Sequence, residues 1–414
     1  MIRTARYLFL ASLATLPVVR LLSIPIGGLT IQISDFLFLF CFLAFVISVI
    51  GGQHPIKVHR AFIYIAIYWS TLLLSAIFSE DQSKSLLKMF GETYLFLLGF
   101  VAVELCRDGK FMKRAVGAWL AGTTVAVIGS LAGLALFYLG LKTQFANPFL
   151  SHFGSLPAGD YPRIRGFFAN ANMMANYMNF SIMLGLAASG LGMLRGAQRI
   201  TLKVGAIIAS VFTLSPGLGG VALSLGLWTG RRSRMFAISG VLIAGLFLVA
   251  SLVSGDTKNT DLGMSVGGRV IEPSVRVLVW DSALGTIASN PLLGRGVGID
   301  PANLRYEAVN GDRQHLRDAH NIPLNVAGQA GLLGLAAFAA FAFFTARWIR
   351  QNAAHNEVTL ALALGVVGAF YYQGLTGSFE DARHLWVALG MMFASREAFD
   401  GTSGSVELRT PTAT

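Results

Sequence analysis

Two stretches of this otherwise apolar chain are crowded with arginine. One reads Pro162-Arg163-Ile164-Arg165-Gly166-Phe167-Phe168-Ala169-Asn170-Ala171-Asn172. The other runs from about Gly255 to Asn321 and closes on Asp318-Ala319-His320-Asn321. A guanidinium is a planar fork of N–H donors that fits phosphate or carboxylate oxygens and stays charged at any relevant pH. Histidine exchanges a proton near neutrality. Gathered beside apolar segments, the two residue types predict a site that holds an anion and moves a proton. That is chemistry suited to a phosphate-bearing lipid at a membrane surface.

The elements that must position these residues follow from composition. The chain is 54% hydrophobic and only 13% charged, with mean hydropathy +0.62, far from the charge-rich surface of a soluble domain. A bilayer core about 30 Å thick needs about 20 apolar residues per helix. Twelve stretches of that kind recur: 7–22, 32–50, 61–78, 89–105, 115–140, 172–193, 201–214, 217–229, 235–253, 322–346, 358–377 and 385–398. The expected fold is an all-α polytopic integral membrane protein, one membrane domain over 1–414. An outer loop covers 141–171 and a large one, 254–321, lies between spans 9 and 10. The split at Ser215-Pro216-Gly217 allows either two short spans or one broken helical pair that does not fully cross. No small-residue cleavage site follows the first segment, so it reads as a span and not a signal peptide. The Gly-, Ser- and Thr-rich tail after residue 400 reads as a disordered cytoplasmic end.

Orientation follows from the cations. With the N-terminus inside, one set of loops carries Arg3 and Arg6, Lys57 and Arg60, Arg107, Lys110, Lys113 and Arg114. The same side holds Arg195, Arg199 and Lys203, then Arg231, Arg232 and Arg234, then Arg347 and Arg350. Short loops on the other side hold only Arg20, Lys84, Lys88 and Arg383. This positive-inside pattern places both termini in the cytoplasm. It also accounts for most of the formal charge of +11, together with anionic membrane lipids, and leaves nothing to suggest nucleic acid.

The informative cations are those on the outer side: Arg163 and Arg165, then Arg269, Arg276, Arg295, Arg305, Arg313 and Arg317. Most can be read as solvated loop residues paired with Asp256, Asp261, Glu272, Asp281, Asp300, Glu307 and Asp312. Arg165 and Arg276 stand out by their neighbours. Apolar positions 277, 280, 284, 287 and 288 follow Arg276 at helical spacing, which predicts an amphipathic helix on the membrane surface. It ends at Asn290-Pro291, and the glycines at 294, 296 and 298 predict a flexible turn with exposed backbone amides.

Four segments together resemble the O-antigen ligase and polymerase family of bacterial envelope glycan assembly. Arg165-Gly166-Phe167-Phe168-Ala169-Asn170-Ala171-Asn172 is similar to its R-x-G-x-F-x-N-x-N stretch, though tighter by one residue. Arg276-x-x-x-Trp280 and Pro291-Leu292-Leu293-Gly294-Arg295-Gly296 resemble its R-x-x-x-W and P-x-x-G-x-G elements. His320-Asn321, followed by Gly328-Gln329-Ala330-Gly331, resembles its H-N entrance to a span, and Glu380-Asp381-Ala382-Arg383-His384 a late motif. The resemblance covers about residues 160–395. Where the family often carries a Ser-Arg-Gly cluster in its middle spans, this chain reads Thr213-Leu214-Ser215-Pro216-Gly217.

The resemblance implies a GT-C-like, metal-independent membrane glycosyltransferase of the bacterial inner membrane, working on the periplasmic face without a cofactor. Its donor would be a glycan on undecaprenyl diphosphate. Its acceptor would be a sugar hydroxyl of lipid A–core for a ligase, or of another carrier-linked glycan for a polymerase; the chain's size and single dominant outer loop favour the ligase. Arg165 and Arg276 would grip the diphosphate and His320 would take the acceptor's proton, with Arg163, Arg295, Asn321 and Arg317 in support. A histidine at a membrane boundary is by itself more often a cap or a headgroup contact. His315 and His384 compete with it on the outer face, whereas His54, His59 and His355 fall on the cytoplasmic side. No H-x-x-E-H, D-x-D or Cys–His spacing marks a metal site. A transporter or flippase would place ionisable residues at mid-membrane, yet Asp35 and Glu92 sit near outer ends and Glu104 near an inner one. A structural scaffold would leave the outer arginines unexplained.

Overall fold

The computed structural model describes residues 1–20, 23–26, 29–151, 161–194, 196–253, 264–266, 269–271, 274–307, 313–376 and 382–400. The tail expected after residue 400, Glu380 and Asp381, and most of 254–273 lie outside the described residues. Within them the chain is carried by α-helices, and the sheet consists of three two-stranded antiparallel hairpins. Five helices are long and apolar enough to cross a membrane: α2 (Ile33–Ile50), α4 (Gln82–Cys106), α5 (Gly109–Tyr138), α10 (Arg234–Val253) and α12 (Ile322–Asn352). Shorter apolar helices are α3 (Ala61–Ile77) and α9 (Gly217–Gly230). The other expected spans correspond to α1 (Ile2–Thr15), α6 (Ala171–Gly190), α13 (Glu357–Thr376) and α14 (Arg383–Asp400).

The stretch expected as a span at 201–214 takes a different form. Residues 196–211 make one helical run of α7 (Gly196–Ile200), a π-helical turn (Thr201–Gly205) and α8 (Ala206–Val211). The run stops before Pro216, whose ring cannot donate to a helix, and Leu214 turns through the left-handed region at φ 46°. α9 then starts at Gly217.

Short polar side chains set where the helices begin. Asp81 accepts from the Lys84 amide at the start of α4, Asp108 from Lys110 and Phe111 at α5, and Asn170 from Met173 at α6. Gln32 and Asp35 form a reciprocal box at α2.

α6 is buried on nearly every face. Its Tyr177 stacks on Trp119 of α5 at 5.2 Å, and Trp119 Nε1 donates to Ser181 Oγ at 3.0 Å. On its other side Asn179 Nδ2 donates to the Gly365 carbonyl of α13 at 2.8 Å. Ser224 of α9 donates to Leu364 of α13 at 2.8 Å, where Gly220 lies directly against the backbone of Gly368. Between apolar helices such close backbone contact and interhelical hydrogen bonding replace the hydrophobic drive, which vanishes in lipid. Asp35 at the start of α2 pairs with Arg383 at the start of α14, at 2.7 and 2.9 Å. Tyr94 donates to the same carboxylate at 2.5 Å, so α2, α4 and α14 are joined at this end.

Candidate functional site

The strap before α6 is held by a β-bridge and backbone hydrogen bonds. Leu150 and Ile164 form an antiparallel bridge, Arg165 donates its amide to the Phe149 carbonyl at 2.8 Å, and Ile164 donates its amide to Phe212 at 2.8 Å. The strap sends its two arginines to different places. Arg165 is 8% exposed, and its Nε and Nη2 donate to the Pro148 carbonyl at 3.2 and 3.1 Å. Arg163 reaches the mouth of the bundle: Nε donates to the Thr213 carbonyl and Nη2 to Asn172 Oδ1, each at 3.3 Å. Ser215 donates to the same Asn172 oxygen at 2.8 Å and lies against Tyr372 of α13. The arginine expected to grip the anion is therefore a loop brace, and the one expected in support is at the mouth.

Arg276 stands in the first turn of α11 (Val275–Ser289), which Ser274 caps by accepting the Arg276 amide at 3.3 Å. Its Nη1 donates to the Ser251 carbonyl at 3.1 Å, one of the last carbonyls of α10. From there it is within electrostatic reach of Arg163, His320 and Tyr372. Burial holds the Arg163 pKa below the usual arginine range; the phenol of Tyr372 opposes the shift and Arg276 adds to it.

α11 packs on the protein through Val275, Val279 and Ala283, which are buried, and leaves Val277 38% and Leu284 54% exposed on the apolar face expected to meet the membrane surface. The buried side meets Ala302 and Ala319, flanked by Trp280, Leu304, Leu316 and Leu324. Small residues on both sides let α11 sit close to the turn that carries His320.

That turn is built from several short contacts. Trp280 Nε1 donates to the Ala319 carbonyl at 2.9 Å, and the Ala319 amide donates to Asn325 Oδ1 at 2.9 Å. Asn325 Nδ2 donates to Asp318 Oδ1 at 2.8 Å, which also accepts the His320 amide at 2.5 Å. His320 adopts φ 49°, a conformation costing about 1–2 kcal/mol for a side-chain-bearing residue and found where surrounding structure over-determines it. Its Nδ1 lies 3.7 Å from Asp318 Oδ1, and the side chain is 39% exposed. Crowding around the ring lowers its pKa below the usual histidine value; Asp318 opposes this and Arg276 adds to it. Asn321 caps α12 by accepting the Leu324 amide at 3.2 Å, a structural duty.

The glycine-rich turn is not an anion cradle. α12 breaks at Gly331 (φ 65°, ψ −168°), and residues 291–296 dock onto the break. Arg295 and Gly296 donate their amides to the Gly328 and Gln329 carbonyls at 3.1 and 3.0 Å, and Leu332 donates its amide to Pro291 at 2.8 Å. Gly298 donates to Gln329 Oε1 at 2.8 Å. The expected exposed amides are thus used inside the fold. A Cβ at Gly294 would strike the Gln329 backbone, and one at Gly331 the Leu292 carbonyl. Arg295, expected near the anion, forks onto Glu80 at 2.9, 3.0 and 2.6 Å, and that pairing holds the Glu80 carboxyl below its usual range.

The remaining candidates lie apart from this cluster. Arg317 is 3.6 Å from Asp300 and donates to His315 Nδ1 at 3.2 Å. His315 Nε2 is 2.7 Å from Asn303 Oδ1, so both ring nitrogens are engaged on the hairpin of β5 (Leu304–Glu307) and β6 (Arg313–Leu316). His384 is 4% exposed, wedged inside the bundle against Tyr177 and Phe180 at 6.0 and 6.2 Å, which removes it from the outer face. The site therefore gathers Arg163, Arg276 and His320, and adds Asp318, Asn172, Ser215 and Tyr372, whose roles no spacing in the sequence marked. Asp318 was the most findable, two residues before the histidine.

Residues 182–339 match the family model described as O-antigen ligase (Wzy_C). The matched segment contains Arg276, Trp280, Asp318 and His320 and runs past the break at Gly331, while Arg163 and Asn172 lie upstream of it. No curated protein matches the chain. The match points to a glycan-transfer role in O-antigen and lipopolysaccharide biosynthesis, and the five apolar helices to an integral membrane protein.

Proposed function

We propose, from the match to O-antigen ligases over residues 182–339, from within α6 into α12, that this chain transfers a glycan from an undecaprenyl-diphosphate carrier to a sugar hydroxyl of lipid A–core at the periplasmic membrane surface. The observation that carries this reading is the place of Arg276, which lies within electrostatic reach of Arg163, from a separate part of the chain, and also of His320. Two guanidinium groups within electrostatic reach repel one another, the more strongly as water is excluded. A diphosphate accepting from both turns that cost into attraction.

In the reaction, His320 Nε2 takes the proton of the acceptor hydroxyl as its oxygen attacks the anomeric carbon. The bond from that carbon to the carrier's phosphate oxygen breaks, and the electron pair leaves with the diphosphate. Arg163 and Arg276 stabilise the negative charge that grows there. His320 must be neutral to act, which its lowered pKa secures near neutral pH. Asp318 at the Nδ1 side orients the ring and offsets the imidazolium once formed.

Deleting the gene and analysing lipopolysaccharide tests the reading. Uncapped core with glycan accumulating on the carrier is the expected result. Core capped by single repeats would assign a polymerase instead, and unchanged lipopolysaccharide would overturn O-antigen transfer altogether.

A further inference from the structure

At the end of the bundle opposite His320, a polar hollow meets an apolar helix face at Val58. The hollow, of about 530 Å³, is lined by Lys57, Val58, His59, Arg60, Arg107 and Glu397. The face runs along α3 from Val58 and Phe62 through Ile67 to Leu74. Ile63 and Ile67 on that face are 57% and 50% exposed. From Phe62 to Leu74 the helix rises by about 18 Å, close to the depth of one leaflet of a bilayer core about 30 Å thick. A polar hollow beside an apolar face of leaflet depth has the outline of a lipid, head and chain.

The charges in the hollow are not equivalent. Arg107 is committed to the protein: it pairs with Glu104 at 3.0 Å and Glu397 at 3.3 Å, and it donates to the Lys57 carbonyl, which fixes the loop. Among the described residues no carboxylate pairs with Lys57 or Arg60, and both are exposed. His59 stacks on Phe393 at 5.1 Å and its Nδ1 accepts the Ala61 amide at 3.2 Å, which puts its ring proton on Nε2. Burial, then Arg107 and Arg60, push its pKa down to about 4, so it serves as an uncharged donor at neutral pH. Cations placed only to orient a membrane protein need no hollow built with residues from a second helix.

We propose that this composite site holds one anionic glycerophospholipid, its phosphate on Lys57 and Arg60 and one acyl chain along α3. The lipid would brace α3, whose other end supports the break in α12 through the Ser75 hydroxyl donating to the Gln329 carbonyl at 2.7 Å.

The test is native mass spectrometry and thermal denaturation of the full-length protein, with phosphatidylglycerol and phosphatidylcholine of identical acyl chains added to mixed micelles. Phosphatidylglycerol should be retained in preference and should raise the midpoint of denaturation. Lys57→Glu/Arg60→Glu should abolish that preference, with binding weakened about fivefold for each cation lost. Lys57→Gln/Arg60→Gln serves if the reversal fails to fold. Ile63→Trp/Ile67→Trp should weaken retention with every charge in place. Lys110→Glu/Lys113→Glu, an equal charge change at residues that do not line the hollow, should leave it intact. Equal retention of both lipids overturns the site. So does equal loss in the Lys110/Lys113 variant, which would mean a diffuse surface field. Displacement by glycerol phosphate at the concentration at which the lipid binds would assign a site for a soluble phosphate and overturn the lipid.

Discussion

The indole of Trp280 donates to the carbonyl of Ala319 at 2.9 Å, so the helix that presents Arg276 also holds the peptide preceding His320. Anion-binding and proton-accepting groups are thereby fixed to one another by a single side chain four residues along α11. Replacing Trp280 with Phe keeps the ring and removes the N–H. A hydrogen bond is worth about 1 kcal/mol, and loosened alignment adds to that loss, so turnover should drop about fivefold to tenfold while donor binding is preserved. Steady-state kinetics against direct donor binding separates these, and an unchanged turnover would detach the indole from the site.

The two strap arginines should fail differently. Arg163→Ala is expected to insert normally and lose transfer, and Arg163→Lys to recover part of it, since an ammonium keeps the charge and loses the fork. Arg165→Ala should instead lower abundance and thermal stability, because it removes a buried side chain together with its two hydrogen bonds to the Pro148 carbonyl. Measuring membrane levels beside activity distinguishes them. Normal transfer in Arg163→Ala, or a stable but inactive Arg165→Ala, would reverse the assignment.

His320→Ala should reduce transfer by about 10²–10⁴-fold while the donor still binds. The working form is the neutral imidazole, so activity is full above the histidine's pKa and falls as pH drops through it. That pKa is lowered from the ordinary value, chiefly by burial, so the acid limb should lie below about pH 6.5. Asp318 raises it; Asp318→Asn should therefore move the limb to still lower pH and slow the reaction throughout. A limb that moves upward in Asp318→Asn would rule out His320 as the titrating group.

Gly331→Ala tests the docked break. Its backbone, at φ 65° and ψ −168°, lies in a region essentially reserved for glycine and costs alanine about 1–3 kcal/mol, and its Cβ would collide with the Leu292 carbonyl. Thermal stability in detergent should fall clearly, and Gly285→Ala, mid-helix with open space around it, should not share the loss. Equal behaviour of the two would mean that the loop does not dock as described.

Orientation is checked with an impermeant thiol reagent. Single cysteines at Gln144 and Arg305 should label from outside, and those at Lys110 and Arg232 should not. The natural Cys41 and Cys106 are buried and should stay silent. Reversed labelling would place the arginine cluster on the wrong face.

Much of this was legible in the residues alone. Hydropathy marks the helices because a bilayer demands long apolar runs, and Arg276-x-x-x-Trp280 puts both side chains one turn apart whatever else the chain does. The apolar run after Asp318-Ala319-His320-Asn321 marks the start of α12, whereas the cap that Asn321 supplies came only with the structure. What the tertiary structure decided was direction and partnership. Arg163 and Arg165 are two residues apart, and which of them reaches the mouth depends on a strap pinned by Phe149 and Phe212. The glycines at 294 and 296 looked like an exposed nest until a break in α12 took their loop's amides. His384 and Arg295 looked available until Tyr177 enclosed one and Glu80 claimed the other. A sequence states which groups a chain carries, and local spacing can align neighbours on one helix. Whether a charge is left to meet a ligand depends on partners brought from hundreds of residues away, as Arg295 is to Glu80, and only packing sets that.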